Sequence, residues 1–66
     1  MDFYYVNTNP NVGQNHEVHK EGCSCMPSNK EYLGIYSSCY GAVQKAKEAY
    51  SDADGCYHCC NPCHTK

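Results

Sequence analysis

The residues best suited to chemistry in this chain are cysteines and histidines that lie in two short segments. The segment from Gly55 to His64 contains four thiols and two imidazoles, and the segment from His19 to Cys23 contains one of each. Thiolate sulfur and imidazole nitrogen are the usual ligands of zinc, which prefers four ligands in a tetrahedral arrangement. The two segments therefore predict a four-ligand zinc site that joins the middle of the chain to its C-terminal part.

Two Cys-x-x-Cys steps follow each other in the later segment, from Cys56 to Cys59 and from Cys60 to Cys63. Two intervening residues allow both sulfurs to face one ion, so each step can supply half of a site. Pro62 restricts the backbone of the second step and favours a fixed turn there. The spacing alone does not choose between the two steps.

The remote pair of candidate ligands is His19 and Cys23, with three residues between them. One helical turn or a tight loop can bring side chains at this spacing together. If His19 is not a ligand, the fourth ligand would come from the later segment, where Cys56, Cys59 and His64 are the candidates.

The other cysteines and histidines have simpler interpretations. Cys25 and Cys39 are expected to be small buried hydrophobic residues. Cys39 also lies where a helix is predicted to begin, which would stabilise its thiolate and permit a redox role. We expect His16 to lie in solvent, and His58 and His64 to be exposed neighbours of a metal-binding loop.

Seven cysteines in a chain of 66 residues would also suit a secreted protein stapled by disulfides. The odd number of cysteines leaves one thiol unpaired, and the N-terminus does not resemble an export signal. We therefore expect the thiols to bind metal, with a disulfide-stapled or thiol-redox protein as the alternative.

The hydrophobic core is expected to be small, because only nine residues are Val, Ile, Leu, Met or Phe, whereas seven are Tyr and seven are Cys. Ordering a chain costs about 1.5 kcal/mol per residue, and so few aliphatic side chains offset little of that cost. A structural zinc site contributes about 10–16 kcal/mol of apparent binding free energy. We therefore expect metal binding to stabilise the fold, and tyrosines to replace missing leucines in the core.

The net charge is −2, with five lysines and no arginine. Such a chain has no basic stripe to neutralise phosphates and no guanidinium to read a base, so nucleic acid is not the expected partner. No segment approaches the ~20 apolar residues of a membrane span. We expect a cytoplasmic monomer that does not contact a membrane and that binds a protein whose identity the sequence does not give.

Strands are predicted where aromatic and β-branched residues are bounded by turn residues; they cover residues 3–7, 16–19 and 31–36, and the first ends in a loop over residues 8–13. Apolar residues at helical spacing predict a helix from Ser37 or Ser38 to about Tyr50. The expected fold is a single α+β domain over residues 1–66. It would contain a short antiparallel sheet of two or three strands and one main helix.

This layout resembles the metal-binding domain of the Ada DNA-repair protein and related small zinc modules. The resemblance covers residues 18–63 and consists of a ligand pair at His19 and Cys23, a strand and a helix, and an ending of the form Tyr57-x-x-Cys60-x-x-Cys63. It implies a zinc ion held by His19, Cys23, Cys60 and Cys63. Cys56 and Cys59 are the alternatives to the second pair.

The Ada domain uses four cysteines, one of which accepts a methyl group from a DNA phosphotriester, and it reaches DNA through a basic surface. Here His19 would replace one thiolate, and the basic surface is missing. We therefore expect a structural zinc-binding module without catalytic activity that binds another protein. The alternative that the resemblance implies is a DNA-associated or alkylation-responsive protein in which Cys60 or Cys63 is the nucleophile.

Overall fold

A computed structural model describes residues 1–10 and 15–65 of the chain. Within these residues, one α-helix packs on a four-stranded sheet, which confirms the predicted α+β class. The elements in chain order are β1 (Asp2–Asn7), β2 (Glu17–Lys20), β3 (Lys30–Tyr36), α1 (Cys39–Ala46), β4 (Asp54–Gly55) and a 3-10 turn (Asn61–Cys63).

The sheet has the order β3-β1-β2-β4 and one more strand than the two or three predicted. The strand β1 pairs antiparallel with both β2 and β3, as expected, but β4 pairs parallel with β2. A strand of two residues leaves no periodic pattern in the sequence, so β4 was not predictable. Its pairing matters because it brings the C-terminal cysteines to the edge of β2.

The core lies between α1 and one face of the sheet. Tyr4 and Val6 of β1 and Val18 of β2 are buried there. Of the five residues that helical spacing predicts on the apolar face of the helix, Ala42, Val43 and Ala46 are buried, Ala49 is exposed and Tyr50 is half-buried. Cys56 and Cys60 complete the same buried cluster. The prediction that tyrosines fill the core is correct for Tyr4 and wrong for others, since Tyr32, Tyr40 and Tyr57 are exposed.

The helix is shorter than predicted, because α1 ends at Ala46 instead of continuing to Tyr50. Tyr50 instead stacks on the ring of His16, with ring centroids 4.1 Å apart. Nδ1 of His16 also lies 2.8 Å from Oδ1 of Asp52. The expectation that His16 lies in solvent is therefore wrong, because the side chain is held between two residues that follow the helix.

A disulfide joins Cys39, the first residue of α1, to Cys63 of the 3-10 turn, 24 positions later. The expectation that Cys39 is a buried free thiol is therefore wrong, because the 3-10 turn brings Cys63 against the start of the helix. Closing a loop of this length typically stabilises a fold by about 2–4 kcal/mol. The chain thus has one covalent link between its helix and its C-terminal segment.

The loop predicted over residues 8–13 is described as far as Pro10, and Asn11, Val12 and Gly13 lie outside the described residues. At its start, the N–H of Asn9 donates to Oδ1 of Asn7 over 2.9 Å, a local turn typical of asparagine. No helix in residues 1–10 and 15–65 is long and apolar enough to cross a lipid bilayer.

Candidate metal centre

Four side chains bring a potential metal ligand to one point beside β2. The imidazole of His19 and the thiols of Cys23, Cys56 and Cys59 each offer one atom, and these atoms all lie within 4.8 Å of one another. Among the residues that the structure describes, no other group of three or more metal-ligating side chains is this close.

The first two members of this cluster come from β2 and the turn that follows it. His19 is 1% exposed and lies opposite Tyr5 in the pairing of β1 with β2. The N–H of Cys23 then donates to the carbonyl of Lys20 over 3.0 Å, which closes a tight turn. Gly22 has a φ of 89° in that turn, a backbone conformation that favours glycine.

The other two members follow β4. The N–H of Cys56 donates to the carbonyl of Val18 over 2.9 Å, so the parallel pairing continues just past β4 and places Cys56 beside the strand that carries His19. The N–H of Cys60 donates to the carbonyl of Cys56 over 2.8 Å. This bond closes a turn over residues 56–60, from which the thiol of Cys59 reaches the same point.

Gly55 permits this arrangement because the following segment folds back over it. A Cβ atom at Gly55 would lie 2.6 Å from the carbonyl oxygen of Cys60 and 2.8 Å from the Cβ atom of Cys63. Both distances are shorter than a van der Waals contact. The close approach of the two backbone segments therefore requires glycine at this position.

Two distances between ligand atoms of the cluster are close to the edge lengths of a zinc tetrahedron. Bonds of about 2.3 Å to sulfur and about 2.0–2.1 Å to nitrogen place neighbouring ligand atoms about 3.5–3.8 Å apart. Nδ1 of His19 lies 3.6 Å from Sγ of Cys23, and that sulfur lies 3.9 Å from Sγ of Cys56. Small side-chain adjustments would bring all four atoms onto one ion.

Backbone amides support two of the sulfurs. The N–H of Lys20 donates to Sγ of Cys59 over 3.2 Å, and the N–H of Cys25 donates to Sγ of Cys23 over 3.4 Å. Hydrogen bonds to the charged form of a group favour that form. These amides are therefore placed to stabilise the thiolates that a metal ion needs.

A carboxylate supports the histidine. Nε2 of His19 lies 3.6 Å from Oε1 of Glu17, while Nδ1 of the same ring faces Cys23. Metal-bound histidines commonly direct their second ring nitrogen to a carboxylate, which fixes the ring orientation and makes the ligand more basic. Glu17 is thus in the position of an outer partner of the metal centre.

Burial favours the neutral forms of these groups when no ion is bound. It raises the pKa of the Cys59 thiol to about 11 and also raises the pKa of Cys23. Burial lowers the pKa of His19, against an opposing effect of the Glu17 charge. A divalent cation would therefore displace protons from the thiols and would meet an imidazole that is already neutral.

The structure brings together only half of the predicted ligand set. His19 and Cys23 are in the cluster, but they meet Cys56 and Cys59, the alternatives, instead of Cys60 and Cys63. Cys63 is bonded to Cys39, and Cys60 is 1% exposed in the core. The structure thus places Cys56 and Cys59, and not Cys60 and Cys63, beside His19 and Cys23, because β4 aligns the first Cys-x-x-Cys step with β2.

Cys60 nevertheless lies at the border of the site. Its sulfur is 3.8 Å from that of Cys59, and burial raises the pKa of its thiol. Cys25 is exposed, not buried as predicted.

His64, a second histidine of the C-terminal segment, contacts β4. Its Nδ1 lies 3.0 Å from the carbonyl oxygen of Gly55 and 3.4 Å from Oδ2 of Asp54. The backbone N–H and the hydroxyl of Thr65 donate to the same carboxylate, the latter over 2.7 Å. His64 therefore helps to fasten the C-terminal segment to β4 and is not part of the four-residue cluster.

Comparisons of this chain with family models, with curated proteins and with solved structures give no match. The resemblance to the Ada domain therefore depends on the sequence pattern alone and stays a prediction. The function of this chain has to be inferred from the geometry of its cysteine and histidine cluster.

Proposed function

We propose that this protein is a small domain stabilised by one structural zinc ion, without catalytic activity, that works by binding another protein. The observation that carries the proposal is the meeting of His19, Cys23, Cys56 and Cys59 within 4.8 Å. Three thiolates and one imidazole in a tetrahedron are a common ligand set of structural zinc, and soft sulfur ligands disfavour magnesium, calcium and manganese.

The number of protein ligands favours a structural role over a catalytic one. A catalytic zinc keeps one position open for water or substrate, whereas four protein ligands fill the tetrahedron. Two surface grooves, of about 200 and 240 Å³, are lined by other residues and by none of the four ligands. A bound ion would thus hold the fold and would not face a substrate in either groove.

The segments that the site joins explain why the fold would need the ion. Few backbone hydrogen bonds join the turn at Cys23 or the turn over residues 56–60 to other segments of the described chain. A structural zinc contributes about 10–16 kcal/mol of apparent binding free energy. This exceeds the typical 2–4 kcal/mol of the disulfide between Cys39 and Cys63.

The zinc part of the proposal is tested by mass spectrometry under non-denaturing conditions and by NMR of the same sample, with Cys25→Ser as the matched control. Wild type and Cys25→Ser should each hold one zinc ion per chain. Treatment with a strong chelator should remove the ion and collapse the dispersion of the amide signals. A chelated protein with an unchanged native spectrum would contradict a structural role, and a reduced protein that binds no zinc would contradict the site itself.

The partner part of the proposal is supported by an exposed apolar area on the face of the sheet away from α1. Phe3, Tyr32 and Ile35 are 47%, 52% and 51% exposed. Phe3 pairs opposite Ile35, and its ring centroid lies 6.3 Å from that of Tyr32. Contiguous apolar surface of this kind is typical of protein-binding sites.

A comparison of two surface variants tests this part. Tyr32→Ser changes the apolar face, whereas Tyr40→Ser changes an exposed tyrosine on α1 that is 68% exposed. Both variants should bind zinc normally. A protein retained by wild type and by Tyr40→Ser but lost from Tyr32→Ser would support the proposal, and equal retention by all three would contradict it.

A further inference from the structure

We propose that Cys23 and Cys56 form a disulfide when a peroxide oxidises the metal centre, with release of the ion. The two segments that the zinc ion joins would then be held by a covalent bond instead. This inference extends the proposed zinc-binding function and rests on it.

The sulfurs of Cys23, Cys56 and Cys59 all lie within 4.8 Å of one another, and the pair from Cys23 and Cys56 joins the two segments of the site. The sulfurs of Cys23 and Cys56 are 3.9 Å apart, and the two residues lie 33 positions apart in the chain. A disulfide needs its sulfurs at about 2.05 Å, so a small rotation of each side chain would allow the bond. The turn that carries Cys23 is on the surface, and its exposed glycine and serine neighbours can move with it.

The pair of Cys59 and Cys60 is poorly suited to a disulfide. Sγ of Cys59 lies 3.8 Å from Sγ of Cys60, but these residues are adjacent in the chain. Adjacent Cα atoms are about 3.8 Å apart, which is shorter than the separation of about 4.4–6.8 Å that disulfides usually span. Cys60 is therefore not the expected partner in a new disulfide.

Exposure sets the order of the steps. Cys23 is half-buried, whereas Cys56 is 2% exposed. The thiolate of Cys23 attacks one peroxide oxygen, the O–O bond breaks, and Cys23 becomes a sulfenic acid while hydroxide or alkoxide leaves. The thiolate of Cys56 then attacks the Cys23 sulfur and displaces a second hydroxide.

The electrons and charges balance in this sequence. Two thiolates lose two electrons to the O–O bond of one peroxide, and one sulfur–sulfur bond forms. The ion loses two of its four ligands and leaves with its charge unchanged, since His19 and Cys59 alone hold it weakly.

The disulfide between Cys39 and Cys63 is the second observation that points to this chemistry. It shows that the fold accommodates an oxidised cysteine pair in the same C-terminal segment that supplies Cys56. The two bonds would link different elements, one the helix to the 3-10 turn and the other the turn after β2 to the end of β4. The oxidised chain would thus hold its fold without metal.

The test treats zinc-loaded protein with stepwise amounts of hydrogen peroxide and follows three quantities: zinc released to a colorimetric chelator, disulfides mapped by peptide mass spectrometry, and the NMR spectrum. We expect one zinc ion released for each Cys23–Cys56 disulfide, and native amide dispersion in the metal-free oxidised protein. Cys25→Ser, which removes the exposed thiol nearest to Cys23 in the chain, should behave like wild type.

Three results would overturn the inference. They are release of zinc with a new disulfide other than Cys23–Cys56, such as Cys56–Cys59 or Cys23–Cys59, release with sulfinic acids and no new disulfide, and loss of native dispersion in the oxidised protein. Failure of the reduced protein to bind zinc would overturn the proposed function and this exchange with it. Normal zinc binding with any of the three results would overturn the exchange alone.

Discussion

Nε2 of His19 lies 3.6 Å from Oε1 of Glu17, two positions earlier on the same face of β2. The carboxylate of Glu17 can fix the orientation of the His19 ring, whose other nitrogen faces Cys23 in the metal cluster. Replacing Glu17 with glutamine should lower zinc affinity by about 10–100-fold, the usual effect of losing such an outer partner.

Competition with a chromogenic chelator measures this change. Glu21→Gln is the matched control, since Glu21 is exposed and its carboxylate accepts a hydrogen bond from Tyr5, outside the metal cluster. Equal zinc affinities for the two variants would show that Glu17 does not support the histidine.

Substitution within the two Cys-x-x-Cys steps separates the ligand sets. Cys59→Ser removes a ligand and should abolish tight zinc binding. Cys60→Ser removes a buried core thiol that lies outside the four-residue cluster, so it should lower stability while one zinc ion per chain is still bound. Zinc-to-protein ratios after gel filtration distinguish the two, and loss of zinc from Cys60→Ser with retention by Cys59→Ser would restore the set implied by the Ada resemblance.

Gly55→Ala should destabilise the fold more than a surface substitution does. The new Cβ would lie 2.6 Å from the carbonyl oxygen of Cys60, a backbone atom that cannot move without shifting the turn over residues 56–60. Overpacking of this kind costs about 1–3 kcal/mol, occasionally more. Chemical denaturation of the zinc-loaded protein measures the loss, and an unchanged midpoint would mean that the two segments are not in close contact.

The small fraction of metal-free protein that stays folded should be largest near neutral pH. Folding raises the pKa of Cys59 from 9.0 to about 11, so this group contributes stability below pH 9 that is lost as the pH rises through about 11. Folding lowers the pKa of His19 from 6.5, so this group contributes stability above that pH that is lost as the pH falls. Circular dichroism of chelated protein across this range measures the folded fraction and checks both signs, and a folded fraction that rises above pH 9 would contradict them.

Zinc binding should strengthen as the pH rises. The ion must displace protons from Cys23 and Cys59, whose pKa values are raised by burial. Apparent affinity should therefore rise with pH by about tenfold per unit for each proton released. Chelator competition at several pH values gives this slope, and an affinity independent of pH would exclude thiolate ligands.

Local patterns predicted much of the fold from the sequence. The aromatic and β-branched run in β1 and the alanine spacing in α1 indicate their elements, and the burial of Ala42, Val43 and Ala46 follows from that spacing. The early end of α1 was not predictable. Tyr50, which was predicted to end the helix, stacks instead on His16, a contact between residues 34 positions apart.

The sequence predicted a cluster of cysteines and histidines but did not determine all of the residues that belong to it. The spacing of His19 and Cys23 predicted a pair that the structure brings into the cluster. The two Cys-x-x-Cys steps have identical spacing, and local sequence does not rank them. The choice depends on the hydrogen bond from Cys56 to Val18 and on the bond from Cys63 to Cys39, both of which are long-range.

X-ray absorption at the zinc edge of the metal-loaded protein tests the central claim most directly, because it counts the atoms bound to the ion. With His19, Cys23, Cys56 and Cys59 as ligands, the spectrum should show three sulfurs at about 2.3 Å and one nitrogen at about 2.0–2.1 Å. A shell of four sulfurs, or of two sulfurs with two lighter atoms, would contradict the account.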